Sequence, residues 1–293
     1  MPDRRLLLVH AHPDDEVVGT GATMARYGDA GAAITLVTCT SGEEGEVLVP
    51  DLEHLAADRE DRLGEHRRGE IAGALQALGV TDHHWLGGAG RYRDSGMMGT
   101  TANEHPKSFW RADLLEAAAD LVGVIRDRRP QVLITYDENG QYGHPDHIQA
   151  HRVAMYGAVL AAAATFRPDL GEAWDIPKIY WTALPHSHVA EGIRVLAESG
   201  SSGFFGATEP GELPGVVADE LVTSVVDGSQ FADRKVAALR AHATQVAADG
   251  PFFAIAEAVG PAAFGREHYR LAKGPAAGPL DDAGRETDLF SGT

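Results

Sequence analysis

Short, nearly unbroken apolar runs separated by longer stretches of mixed polarity set the rhythm of the first half of this chain. Arg4 to His10 (RRLLLVH), Ala33 to Cys39 (AITLVTC) and Val132 to Tyr136 (VLITY) are too short for buried helices. They lack the alternation of a strand with one wet face, so they read as strands covered on both sides. Helical periodicity fills the intervals, at about 16–30, 60–79, 112–128 and 145–163, with a further short strand near His84 to Leu86. Gly31, Gly79 and Pro130 punctuate the ends of the first three helices, as residues that cannot continue a helix should. Strand and helix in alternation predict an α/β fold, Rossmann-like, with a mostly parallel sheet flanked by helices.

Beyond about residue 170 the pattern loosens. It leaves an apolar stretch from Trp174 to Leu184, a Gly/Ser-rich loop around Ser199 to Gly206, a strand-like Glu220 to Val226, and a helix at about 229–246 with Ser229 as N-cap. From Gly274 the chain is rich in Gly, Ala, Pro and acids, which predicts a loose tail. The expected division is an α/β core over 1–170 that carries the chemistry, and a smaller C-terminal unit over 171–293 that folds across the active-site side.

Two of the apolar runs lead into phrases of the same grammar: His12-Pro13-Asp14-Asp15 after the first, and His144-Pro145-Asp146-His147 after Val132 to Tyr136. Loops beyond strand ends are where open α/β sheets place their ligands, and Pro suits the first turn of a helix. Either phrase alone could be an ordinary helix entry, with Asp capping the backbone; two together point to one metal site. His12, Asp14, Asp15 and His147 are four oxygen and nitrogen donors. A catalytic zinc needs three and keeps one position open, so one carboxylate is left over to act as a general base. His144, at the helix start, is placed to donate a proton toward the open position. His144, His147 and His151 can share a helix face, but His147-x-x-x-His151 lacks the Glu of the metalloprotease pattern, and His151 reads as packed or solvated.

Composition narrows the field. At 293 residues with a formal charge of −18, the chain can bury a large core and lacks the clustered cations a nucleic-acid partner requires. Cys39 is the single cysteine, expected as a small core residue in a protein of the cytoplasm without disulfides. The Ala-rich stretch from Ala154 to Thr165 falls short of the roughly 20 apolar residues a membrane span needs, and His10 interrupts what would otherwise imitate a signal peptide. A dinucleotide is excluded: Met24 stands where the fingerprint after Gly19-Thr20-Gly21 needs Gly or Ala, and Asp14-Asp15 would repel a pyrophosphate.

The AHPDDE of Ala11 to Glu16 and the GHPDH of Gly143 to His147 resemble the PIG-L/LmbE family of zinc-dependent sugar N-deacetylases. Further stretches, Gly42 to Val47, Leu86 to Met97, Tyr142 to His151, His242 to Val246 and Glu267 to Tyr269, are similar to members of that family that deacetylate N-acetyl-glucosaminyl-inositol in mycothiol biosynthesis. The resemblance implies His12, Asp15 and His147 as ligands of one Zn2+, with iron or cobalt accepted by the same donors. It implies Asp14 as general base, His144 as acid and oxyanion partner, Asp146 as an orienting group and Tyr142 as an oxyanion donor. It also implies that Arg67 and Asp94 grip the hydroxyls of a small amino-sugar inositol substrate. From the residues alone Arg67, in the charged run Asp58 to Glu70, reads as part of a solvated helix face. The competing functions are a mycothiol-conjugate amidase on the same framework and, in another class, a carbohydrate-binding protein without catalysis.

Overall fold

A computed structural model describes residues 3–198 and 206–293. In chain order the elements are β1 (Arg5–His10), α1 (Asp15–Asp29), β2 (Ala33–Thr38), α2 (Leu63–Leu78), β3 (Asp82–Trp85), α3 (Leu114–Arg128), β4 (Val132–Thr135), a single turn α4 (Gly140–Gly143), α5 (Pro145–Ala162), β5 (Lys178–Pro185), α6 (His186–Glu198), β6 (Val216–Val217), β7 (Ser224–Asp227), α7 (Ala232–Ala241), α8 (Pro251–Phe264) and β8 (Arg266–Lys273). The strands form one sheet in the order β3-β2-β1-β4-β5-β8-β7, with β6 paired beside β5. From β3 to β5 every pairing is parallel, and β8 runs antiparallel between β5 and β7.

The unbroken apolar runs follow from burial on both faces. Leu6 and Leu8 of β1 point into a core built with α1, α2 and α7, while Leu7 and Val9 point into a second core built with α3 and α5. All four are at most 1% exposed, and burying each such side chain is worth about 1.5–3 kcal/mol. Gly79 ends α2 in the left-handed conformation (φ 79°), which a residue with a Cβ adopts only at a cost. Cys39 lies in the second core.

The chain moves outward from β1 through β2 to β3, then crosses back to β4 on the other side of β1. The crevice of such a sheet opens where this reversal occurs, and the two His-Pro-Asp phrases are the loops after β1 and β4. The boundary expected near residue 170 lies in the connection between α5 and β5, and the sheet continues through it, because β5, β8 and β7 extend the strands of the first half.

Local expectations past residue 170 need correction. The helix expected over 229–246 is one 3-10 turn at Ser229–Phe231 followed by α7, which stops at Ala241. Ser229 caps nothing; its own N–H donates to Asp227 Oδ1 at 3.0 Å. The strand expected over Glu220 to Val226 is shortened to β7, behind a 3-10 turn at Asp219–Leu221. The tail is latched: Glu286 accepts hydrogen bonds from Lys178, Tyr180, Ser224 and the Ala277 N–H, and Leu289 and Phe290 are buried. The loop expected at Ser199 to Gly206 lies, apart from Gly206, outside the described residues.

Candidate active site

The loop after β1 turns sharply at Asp14, whose φ of 111° and ψ of −36° are far from any ordinary helix entry. Asp14 stands at the N-cap of α1, yet its carboxylate makes no capping hydrogen bond. It accepts instead from Arg67 Nη2 at 3.1 Å. Arg67 is 2% exposed and also donates to the carbonyls of Gly42 and Pro13, so the expectation of a solvated helix face fails at this residue. Burial pushes the Asp14 carboxyl up, Arg67 pulls it down and neighbouring Asp15 raises it again, for a result of about 6.

Asp15 faces two imidazoles. Its Oδ2 lies 3.3 Å from His12 Nδ1 and accepts the His12 N–H at 2.8 Å, and its Oδ1 lies 3.3 Å from His147 Nε2. Burial opposes its charge, but His147 and His12 hold its pKa well below the usual carboxylate range. The far nitrogen of His12, Nε2, is 3.1 Å from Asp146 Oδ2 and 3.5 Å from Asp94 Oδ1. Asp146 is fully buried and is itself held by the Ser95 N–H at 2.9 Å and the Ser95 hydroxyl. One face of His12 is thus braced by carboxylates while the other looks toward Asp15 and His147.

His144 caps α5: its Nδ1 accepts the Asp146 N–H at 3.1 Å, which places the proton of a neutral ring on Nε2. Burial, with His12 and His147 beside it, lowers its pKa to about 3. Ring nitrogens of His12, His144 and His147 lie within 4.8 Å of one another. Tyr142 brings its hydroxyl to 3.3 Å from His147 Nε2 and remains 40% exposed, while Tyr136 stacks on the His147 ring at 4.2 Å between centroids. His151 turns away, with Nδ1 on the Tyr136 carbonyl at 3.0 Å. Asp94 is buried, and its carboxylate accepts the N–H groups of Gly96 and Glu44.

The donor set fits a divalent metal ion. Asp15 meets His12 Nδ1 through Oδ2 and His147 Nε2 through Oδ1, each at 3.3 Å, and donor atoms of His12, His144 and His147 lie within 4.8 Å of one another, spacings that nitrogen and oxygen ligands of one ion would close on binding. Burial lowers the His12 pKa, but Asp94, Asp146 and Asp15 outweigh it and raise it well above the ordinary value. The same carboxylates would favour a cation beside the ring, which ligates metal in its neutral form. The Asp146···His12 contact on the opposite nitrogen is the brace usual behind a metal-binding histidine.

Several members of this arrangement lie in stretches that carry the family resemblance, yet the sequence assigned them no role. Ser95 sits beside Asp94 in the loop, and its role depends on a tertiary contact. Glu16 and His242 are each 0% exposed and paired at 2.8 Å. A charged residue inside the apolar face of the first helix was the available clue to Glu16; its partner, 226 positions away, opens the family-like stretch His242 to Val246, but nothing there says what it touches.

Residues 7–158 match the family described as PIG-L: GlcNAc-PI de-N-acetylase. A protein from a Nocardioides species named 1D-myo-inositol 2-acetamido-2-deoxy-alpha-D-glucopyranoside deacetylase is 58% identical over 299 residues, covering 99% of each chain. A Kribbella flavida protein of the same name is 58% identical over 301 residues, covering 100% of this chain and 99% of its own. Among solved structures, an N,N'-diacetylchitobiose deacetylase from Pyrococcus horikoshii superposes with a TM-score of 0.60 at 20% identity, over 92% of this chain and 83% of that one; at that identity it shows a shared fold.

Proposed function

This chain belongs to the PIG-L family of de-N-acetylases, and from that premise we propose how its own residues carry the reaction. The enzyme is an amide-cleaving hydrolase: it deacetylates N-acetyl-glucosaminyl-inositol to the free amine and acetate, a step of mycothiol biosynthesis. The observation that carries the assignment of roles is the convergence of His12 Nδ1 and His147 Nε2 on the two oxygens of Asp15, beside an Asp14 carboxylate that no helix cap consumes. We assign His12, Asp15 and His147 as ligands of one zinc ion; iron or cobalt suit the same donors. When bound, the ion polarises the acetyl carbonyl and makes water acidic enough to be deprotonated near neutral pH.

The remaining work belongs to side chains. Asp14, with its pKa near 6, is matched to accept a proton from the attacking water at neutral pH. As the carbonyl carbon becomes tetrahedral, negative charge grows on its oxygen. The Tyr142 hydroxyl and His144 Nε2–H are the donors for it, and a preorganised donor of this kind is worth about 3 kcal/mol. His144 donates as a neutral imidazole, because its pKa is pushed down to about 3 and its Nδ1 is engaged by the α5 backbone. The proton that the departing amine needs is returned by Asp14. Asp146 keeps His12 turned toward the ligand position through Nε2. Arg67 and Asp94 are buried beside the site; Arg67 acts chiefly on Asp14 and the loop carbonyls, and Asp94 on His12 and the loop N–H groups of Glu44 and Gly96, a loop that would meet the sugar hydroxyls.

The test is acetate release from the acetylated glucosaminyl-inositol, followed by mass spectrometry. Purified enzyme should bind one zinc per chain, lose activity to a chelator and regain it with zinc. Asp14→Ala should keep the metal and lose at least about 10²-fold in kcat. Full activity of Asp14→Ala would overturn the assignment of the base, and faster cleavage of a bulky mycothiol conjugate than of the acetylated sugar would overturn the substrate.

A further inference from the structure

Asp14 holds a backbone conformation that L residues adopt only under constraint, at a cost of about 1–3 kcal/mol. The constraint has an identifiable source. The Asp14 N–H donates to Glu16 Oε2 at 2.9 Å, bending the chain back on the first turn of α1. The other oxygen of Glu16 is gripped by His242 Nε2 at 2.8 Å. His242 is the C-cap residue directly after α7, and α7 packs on α1 and α2 in the same core. Both side chains of the pair are 0% exposed. A carboxylate and an imidazole taken wholly out of water pay a large desolvation penalty, and apolar groups of the same size would fill this position at less cost. What the pair delivers that an apolar filling could not is an acceptor for the Asp14 N–H.

The alternative conformation is easy to name. An Asp before a helix ordinarily folds its carboxylate over the first turn and accepts an N–H there. In that geometry Asp14 would cap α1, with its oxygens occupied. We propose that His242, acting through Glu16, is a positioning residue for Asp14: the buried pair pins the Asp14 amide, locks the turn in its positive-φ form and keeps the carboxylate off the helix cap, where it can serve as base. His242 lies in the C-terminal half of the chain, so that half takes part in the chemistry through a residue buried behind the base.

The proposal rests on Asp14 being the base, and a double-variant cycle separates the two ideas. Asp14→Asn is measured first; if it keeps the parent kcat, the base assignment fails whatever His242 does. In the parent, His242→Ala should lower kcat about 10²-fold, the scale expected when a reacting group is misplaced by about 1 Å, with KM and bound zinc unchanged. In the Asp14→Asn background the same substitution should lower the residual kcat no further. Glu16→Gln keeps an oxygen for the Asp14 N–H and an amide for His242, and should retain most of kcat where Glu16→Ala does not. An equal fall in both backgrounds, a rise in KM without loss of kcat, or full activity of His242→Ala would each overturn the proposal. If His242→Ala does not fold, His242→Asn, which fills the space but falls short of Glu16, is taken through the same cycle and read by the same outcomes.

Discussion

At the scale of single residues, the site works by keeping like groups unlike. Asp14 and Asp15 are neighbours, yet the first is pushed up to about 6 by burial while the second is held far down by His147 and His12. One carboxylate is thereby suited to take a proton and the other to remain an anion beside two imidazoles. Arg67 limits the rise at Asp14, since its guanidinium favours the charged form. Its sign gives a test: with Arg67→Met the Asp14 pKa should climb above its present value near 6. The acidic limb of the kcat/KM profile should then move to higher pH; a limb that stays put or moves down would show that Arg67 does not act on the base. At this scale the sequence was most legible where donors cluster in one phrase, as in His12 to Asp15. It was least legible at Arg67, which the charged run Asp58 to Glu70 suggested was on a wet face and which the structure buries against Pro13, Gly42 and Asp14.

At the scale of elements, the first half was readable because β1, β2 and β4 are buried on both faces and the first three helices end near residues that stop them. β1, β2 and β4 fall within a residue of the apolar runs that predicted them. The second half was less so, for two physical reasons. β8 is a mixed run, REHYRLAK, whose buried charges are neutralised by partners distant in sequence, such as Lys235 on Glu267 at 2.8 Å. α8 contains Gly260 at φ 71° before Pro261, so its pattern is broken where the structure kinks. The tail is the plainest case: poor in apolar residues, it is held by Glu286, which reaches Lys178 at 2.6 Å with both side chains at most 1% exposed. Glu286→Ala would strand the Lys178 ammonium in the interior and should destabilise the fold by about 3–5 kcal/mol, measured by denaturant unfolding. A change under 1 kcal/mol would mean that the tail latch is dispensable.

At the scale of the whole molecule, one sheet carries both halves, and its reversal of strand order beside β1 makes one crevice out of two loops 130 residues apart in the chain. The same burial makes stability depend on pH. His268, on β8, is lowered from 6.5 to about 3 by burial, with His188, Arg285 and Arg266 adding to the effect. Between those values the unfolded chain binds the extra proton, so this histidine's contribution is intact above 6.5 and is lost as pH falls toward 3. His268→Gln should therefore lose less stability than the parent over that window, in unfolding curves taken at several pH values; parallel losses would sink the idea. Taken by itself, the sequence determined the class of fold, because apolar runs must be buried, and pointed to a divalent-metal site, because few residue types can bind such an ion; the deacetylation itself was implied by the family resemblance. The sequence also determined that two phrases belong together, through their shared grammar. Only the tertiary structure decided which carboxylate escapes capping, which nitrogen of His12 is braced and which faces Asp15, and how the C-terminal half reaches the site. Those outcomes depend on contacts such as Arg67 with Asp14, Ser95 with Asp146 and His242 with Glu16, and no local pattern encodes a partner that only folding brings near.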